Sequence, residues 1–489
     1  MKLNLDNAEV EIRERRLGAI TGYCGTAGDL YRQSKSGLLK EQERPFSQCT
    51  SCSSVTAICQ LSMIQDAAVV NHAPLGCAGD FCEFNFCNRT GQVKRGLRLK
   101  NANLISSNLR EEEIIYGGAA KLEEAVREAK ERFQPRVIFI TASCASGIIG
   151  DDLQGLSELL SEELGLPVIP VFCEGFRSRV WATGFDAAFH AILSRVVKPA
   201  RQKQPDLINV INFWGEDIFS DLFGKIGLKP NYVVPFTTVD QLERLSEAAA
   251  TVQVCSTLGT YLAAGLEQQF GVPEVKAPPP YGISGTDAWL RELGRIVGRS
   301  PQVEQLISDA RESIAPELDE LRQTLKDRTV FVSAGAVHGH SIICLLRELG
   351  LHVLGGCVWH HDQWFDNRDA RADSLDHLIS HYGDVDFGIC NKQNFELVNL
   401  LNRLRPDLFI VRHHGMAVWG GKLGIPTFLI GDEHFGLGYQ GLLNYGRKIA
   451  DTLSNPALVK NLAEHTRLPY TNWWLNQEPY AFLEGRRQS

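Results

Sequence analysis

The chain reads as α/β, organised as three domains that each carry a parallel sheet under helices. Two observations predict this class. Apolar runs of strand length at 137–141, 167–173, 329–334 and 352–359 alternate with longer amphipathic stretches of helical period, the pattern of strands buried on both faces between crossover helices. The length of 489 residues exceeds what one core serves, and 44% apolar with 22% charged residues is a globular composition. The same figures exclude some functions. A net charge of −8 with no basic stripe argues against nucleic acid as a partner. No run approaches the roughly 20 apolar residues of a membrane span, and the N-terminus lacks an apolar signal region, so a cytoplasmic chain without membrane contact is expected. Thirteen cysteines in such a chain point to a reducing compartment and metal chemistry, not to disulfides. A phosphate-binding Gly-x-x-x-x-Gly-Lys-Ser/Thr string is missing, so ATP hydrolysis is not expected of this chain itself.

Taken in order, residues 1–45 mix charged and small residues around Tyr23-Cys-Gly25 without a core pattern, and are expected as an arm lying on a partner subunit or a partly ordered tail. The first α/β domain spans 46–200. Its cysteine-rich loops end near Cys87, a helix at 119–133 precedes the strand at 137–141, and a helix at 153–164, a strand at 167–173 and a helix at 183–196 follow. A polar linker at 198–206 opens the second domain, 201–327, with strands at 207–213 and 232–236, a helix at 238–247 and a strand at 252–255 that ends in Cys255. The run Ala277-Pro-Pro-Pro-Tyr-Gly282 forms a stiff turn before broken helical sequence from 286 to 326. The third domain, 328–489, has strands at 329–334, 352–359, 386–390 and 407–412, then a helical, aromatic tail around Pro469-Tyr-Thr-Asn-Trp-Trp474 that packs either between subunits or in the core.

Cys144 stands where a strand ends and helical sequence begins, and a thiolate near a helix N-terminus is favoured by the backbone N–H groups and the dipole. Cys52 and Cys77 have similar loop surroundings, so the three together suggest one iron–sulfur site; a buried structural thiol is the plain alternative for each alone. The strings Cys52-Ser-Ser-Val-Thr-Ala-Ile-Cys59, Asn71-His-Ala-Pro-Leu-Gly-Cys77 and Cys144-Ala-Ser-Gly-Ile-Ile-Gly-Asp-Asp152, with Tyr116-Gly-Gly118 and Cys173-Glu-Gly-Phe-Arg177, resemble the nitrogenase component 1 family over almost the whole chain. The resemblance implies three Rossmann-like parallel-sheet α/β domains around a central cofactor pocket. It also implies that Cys52, Cys77 and Cys144 hold half of a P-cluster-type iron–sulfur cluster, 8Fe-7S or the simpler 4Fe-4S, shared with a β-type (K-type) subunit in an α2β2 complex. Cys24, Cys49, Cys59, Cys82 and Cys87 receive no assigned role.

Two further residues make the chain resemble the α-type (D-type) subunit. Cys255 and His434 fall near the two poles of the family's catalytic cofactor, here expected as all-iron 8Fe-9S-C with the organic acid ligand left open. In a gap-free match His434 lies one helical turn past the usual histidine position, which Gly431 takes. Other positions depart from the family's molybdenum members. Trp181 and Phe185 stand where those carry a polar glutamine and histidine pair, and Val337 falls near their cofactor-side arginine, changes that make the pocket more apolar and favour an organic substrate. His413 and His414 are candidate proton or hydrogen-bond donors to the cluster sulfides. His338, His340, His360 and His361 also lie at or just after strand ends, with structural or supporting roles as their alternative.

With His360-His-Asp-Gln363, Arg412-His-His-Gly415 and Gly431-Asp-Glu-His-Phe-Gly436 added, the pattern is most similar to the nitrogenase-like methylthio-alkane reductases. That resemblance implies reductive C–S cleavage of small thioethers, with electrons from a separate ATP-dependent iron protein (H-type) homodimer. The alternatives are an iron-only or vanadium nitrogenase α subunit reducing dinitrogen, a cofactor-assembly scaffold, and a tetrapyrrole reductase relative.

Overall fold

The computed structural model describes residues 2–43, 51–79, 81–213, 215–364, 366, 369–390, 394–412, 414–431 and 436–483. Two compact units divide the chain, one drawn from residues 1–18, 51–275 and 365–368, the other from 19–50, 276–364 and 369–489. The α/β class with parallel sheets is the class expected from the alternation of runs.

Strand β1 (Gly22–Thr26) belongs to the second unit. In the first unit β2 (Ala67–His72), β3 (Leu104–Ser106), β4 (Val137–Ala142) and β5 (Val168–Val171) form a sheet in the order β3-β2-β4-β5, parallel throughout. Every residue of β2 and β4 is buried, which is why these stretches are continuously apolar apart from Asn71, His72 and Thr141 at their carboxyl ends. Helices Ala119–Phe133 and Leu153–Leu164 cover one face, placing Leu122, Val126 and Leu160 against Ile138 and Ile140. A second parallel sheet, β7-β6-β8, follows from β6 (Gln204–Ile211), β7 (Lys229–Val233) and β8 (Ala248–Gln253). The strand expected at 232–236 starts and ends earlier, because Pro235 has no N–H to give to a ladder.

Helices Ser53–Ser62, Thr183–Arg195 and Ser256–Phe270 pack beside these sheets. At the crossing of the first two, a Cβ placed on Gly184 would lie 2.0 Å from the Ser53 carbonyl oxygen. Only glycine lets the helices approach this closely.

Residues 2–18, read from the sequence as an arm, are held by their own chain. The short helix Arg13–Arg16 buries both terminal arginines. Arg13 Nε and Nη2 donate to the two Asp186 oxygens at 2.7 and 2.8 Å, Arg13 Nη2 also donates to the Thr257 carbonyl at 2.6 Å, and Arg16 joins Asp186 and Asp366. The Arg16 guanidinium also lies 4.9 Å over the Tyr261 ring. One carboxylate thereby ties the N-terminal segment to helix Thr183–Arg195, and Arg13 carries the tie on to helix Ser256–Phe270.

In the second unit β1 pairs antiparallel with β11 (Asp386–Cys390), and β9 (Thr329–Ala334), β10 (His352–Val358), β12 (Leu408–Val411) and β13 (Thr427–Leu429) complete a sheet in the order β1-β11-β10-β9-β12-β13. The expected strands at 329–334 and 386–390 are observed at those bounds, and those at 352–359 and 407–412 within one residue. The broken helical sequence resolves into Gly282–Ile296 and Ser300–Leu325. The aromatic tail packs on its own unit: Tyr470 stacks on Trp474 at 5.8 Å, and Trp474 meets Phe395 edge-on at 4.4 Å. Among the described residues no helix is long and apolar enough to cross a membrane.

Asp186 is 1% exposed and Arg13 2%, so Asp186→Ala strands two buried cations. The expected cost is about 3–5 kcal/mol of stability, read as a lowered midpoint in urea denaturation, whereas Glu163→Ala, which removes an exposed partner of Arg127, leaves that midpoint essentially where it was.

Candidate functional site

The parallel pairing of β2 with β4 sets His72 beside Ala142, so the loops that follow both strands leave the sheet at the same edge, where ligand sites gather in such folds. Cys77 lies in the turn Leu75–Ala78 after β2 and Cys144 opens helix Cys144–Ile149 after β4. Ser143 fixes the second loop in a reciprocal cap: its Oγ accepts from Ser146 N–H, Ser146 Oγ accepts from Ser143 N–H at 2.8 Å, and Ser143 Oγ donates to the His72 carbonyl at 2.8 Å. Cys52 takes the N-cap position of helix Ser53–Ser62, held to the same edge by Ser54 Oγ, which donates to the Ala142 carbonyl at 3.0 Å.

These three loops bring the predicted cysteines together. A Cβ placed on Gly175 would lie 3.2 Å from Cys52 Sγ and 3.4 Å from Cys144 Sγ, so the absent side chain of that residue leaves room for both sulfurs. Burial first, and then the neighbouring Cys52 and Cys144 sulfurs, push the Cys77 thiol up. Cys52 and Cys77 are half-buried and Cys144 is exposed. Leu75 and Ile148, from these loops, and Phe176, next to Gly175, are 64%, 76% and 57% exposed. No group of three or more His, Cys, Asp or Glu among the described residues is tight enough for a single ion. Thiolates are the ligands an iron–sulfur cluster takes, and three of them converging here fit such a group.

A polar support behind this edge went unassigned in the sequence reading. Buried His72 shares Nε2 with Asp151 at 2.8 Å and Nδ1 with Ser107 Oγ at 3.0 Å, and Gly118 N–H donates to Asp151 at 3.0 Å. Burial holds His72 below its usual pKa, against the opposing pull of Asp151. Asn71-His, Gly117-Gly118 and Asp151 stood out as strings, but their mutual bonding arises only from the strand register. Glu174, beside the cysteine-bearing loops, is likewise buried, and burial raises its pKa although Arg177 Nε lies 2.8 Å away.

Of the second expected set, Cys255 is buried and takes the N-cap position of helix Ser256–Phe270, after β8. Trp181 and Phe185 meet edge-on at 5.7 Å. His434 and His413 lie outside the described residues, as does Cys49, and His414 opens helix His414–Lys422. Three of the other strand-end histidines are hydrogen-bonded within the second unit, His338 to the Tyr281 hydroxyl at 2.7 Å, His340 to Ser374 Oγ at 3.0 Å and His361 to Ser34 Oγ at 3.2 Å, while His360 Nε2 lies 3.5 Å from Asp362 Oδ2. No disulfide links the described cysteines.

The profile of the nitrogenase component 1 type oxidoreductases matches residues 52–454, beginning at Cys52 itself. The chain belongs to this family. Its relatives within the nitrogenase component 1 family include the nitrogenase iron-molybdenum cofactor biosynthesis protein NifE of Methanococcus maripaludis, 26% identical over 413 residues that cover 81% of this chain and 82% of that protein. They also include the nitrogenase molybdenum-iron protein alpha chain of Methanothermobacter thermautotrophicus, 27% identical over 417 residues, covering 80% and 85%. Among solved structures, nitrogenase Cp1 at pH 6.5 superposes with a TM-score of 0.70 at 20% identity, covering 88% of this chain and 93% of that one, a likeness of fold. Membership in an iron–sulfur-binding oxidoreductase family accords with three thiols converging at one sheet edge.

Burial pushes His340 down to about 3 and His361 and His377 down to about 4. Each stays neutral in the folded chain and takes up a proton near pH 6.5 only on unfolding, so stability is full above that pH and falls as pH drops toward 4. Urea midpoints at pH 7.5 and 5.5 are expected to differ, with a slope approaching 1.4 kcal/mol per pH unit for each histidine; His340→Gln should flatten that slope.

Proposed function

We propose that this chain is the catalytic α-type subunit of a nitrogenase-like reductase that cleaves the C–S bond of small methylthio-alkanes. The observation that carries the reading is the edge-on Trp181–Phe185 pair just after Cys173-Glu-Gly-Phe-Arg177, two rings where the molybdenum members keep a polar pair. Such a wall excludes water and favours an apolar thioether over dinitrogen. The reaction takes two electrons and two protons: the C–S bond of dimethyl sulfide breaks, the sulfur leaves as methanethiol and the carbon as methane.

In this reading Cys52, Cys77 and Cys144 supply one half of the electron-accepting cluster, with a β-type subunit supplying the other. The open side of the site supports that partner, since Leu75, Ile148 and Phe176 expose apolar surface beside the thiols. Cys255 and His434 would hold the all-iron cofactor, which when bound supplies the low-potential redox chemistry. The protein's own residues hold and shape: Gly175 leaves room for two sulfurs, Trp181 and Phe185 bound the substrate space, and His413 and His414 deliver protons. A separate iron protein hydrolyses ATP and donates the electrons.

A second reading, a scaffold on which a cofactor is assembled, is favoured by the similarity to NifE proteins. Anaerobically purified complex, supplied with iron protein and ATP, separates the readings. Methanethiol and methane from dimethyl sulfide support the reductase. Ammonia from dinitrogen without methanethiol points to an alternative nitrogenase, and transfer of a cluster to an apo-protein without turnover of either substrate points to the scaffold. Cys52→Ser and Cys144→Ser are expected to lower iron content and alter the cluster EPR signal. Trp181→Gln with Phe185→His should cut C–S cleavage about tenfold while leaving that signal in place.

A further inference from the structure

A cavity of about 280 Å³ opens in the first unit, between the end of helix Ser53–Ser62 and the helix Phe81–Lys94 with the loop beyond it, at the small end of the range for ligand cavities. Arg98 and Lys100 line it, and among the described residues no aspartate or glutamate does. Neither cation forms an ion pair with the described chain. In a protein of net charge −8, a pocket whose described wall carries two cations and no acid favours an anion.

Five carboxamides complete the wall: Gln65, Asn88, Gln92, Asn101 and Asn103. Four commit one end to the protein. Gln92 Oε1 accepts from Lys100 N–H at 2.8 Å and Asn101 Oδ1 from Asn85 Nδ2 at 3.2 Å, which leaves both NH₂ groups available. Gln65 Nε2 donates to the Phe236 carbonyl at 2.7 Å and Asn103 Nδ2 to the Ala67 carbonyl at 2.9 Å, which leaves both oxygens available. The fifth, Asn88, is 3% exposed, and its buried Oδ1 has no hydrogen-bond partner, a condition that costs free energy unless a ligand or water relieves it. The wall therefore offers cations and NH₂ donors to anionic oxygens, and carbonyl oxygens to a hydroxyl.

We propose that this cavity binds a small hydroxycarboxylate. Arg98 and Lys100 meet the carboxylate, helped by the NH₂ groups of Gln92 and Asn101, while Asn88 Oδ1, the buried acceptor without a partner, accepts from the hydroxyl. The site stands apart from Cys52: the helix Ser53–Ser62 that this residue caps reaches the cavity ten residues later, about 15 Å along its axis. It does not depend on the reaction the chain catalyses.

Titration calorimetry of the purified complex with L-malate, succinate, inorganic phosphate and matched sodium chloride tests the assignment. Saturable binding of malate is expected, about tenfold weaker for succinate, which lacks the hydroxyl, with no saturable heat from chloride. Arg98→Gln with Lys100→Gln, both exposed and so harmless to folding, should weaken malate binding tenfold or more, and Asn88→Leu should weaken it while circular dichroism stays unchanged. Equal heats from malate and chloride, equal affinity for malate and succinate, tighter binding of phosphate than of malate, or an affinity unmoved by the double variant would each overturn the proposal.

Discussion

The register of β2 on β4 is the constraint on which the cysteine site depends. Two parallel strands aligned with His72 beside Ala142 release their following loops side by side, and Ser143 and Ser54 then tie the cysteine-bearing segments to the same edge. A slip of one residue would turn every side chain of a strand to the opposite face and separate Cys77 from Cys144. The burial of both strands on both faces is what forbids the slip. The chemistry thus rests on apolar packing several residues away from any sulfur.

Much of this was legible in the sequence because it is periodic or compositional. Continuous apolar runs gave the interior strands, the 3.6-residue period gave the helices at 119–133 and 153–164 at their observed bounds, and the family resemblance singled out the cysteines that the fold brings near one another. Other features leave no periodic trace. Five residues of β1, three of them only half-buried, show no alternation, and their place in a sheet depends on β11 more than 350 positions later. The burial of Arg13 and Arg16 is intelligible only beside Asp186, and His72 and Asp151 are 79 positions apart. These are pairings of charge or hydrogen bond across the fold, and single-sequence patterns do not encode them.

The strand-end histidines carry a different lesson. Residue type and position alike suggested metal chemistry, yet His338, His340 and His361 each give a ring nitrogen to a hydroxyl in their own unit. Buried imidazole is held neutral by the cost of desolvating its cation, which at His361 outweighs the opposing pull of Asp373 and Asp362. It serves as a rigid, hydrogen-bonding block near the ends of β9 and β10. Identity of 26% to a NifE relative and 27% to an alpha-chain relative is shared by proteins of different printed names, so it marks the common frame.

Gly184 touches no ligand in any reading, but the helix beginning beside Cys52 crosses directly over it, with the Ser53 oxygen where a methyl group would stand. In a comparison of descendants of this chain, that position should stay as invariant as the sulfur donors themselves. Invariance there would record a steric bottleneck, and a catalogue that equated unchanging residues with reactive ones would misfile it.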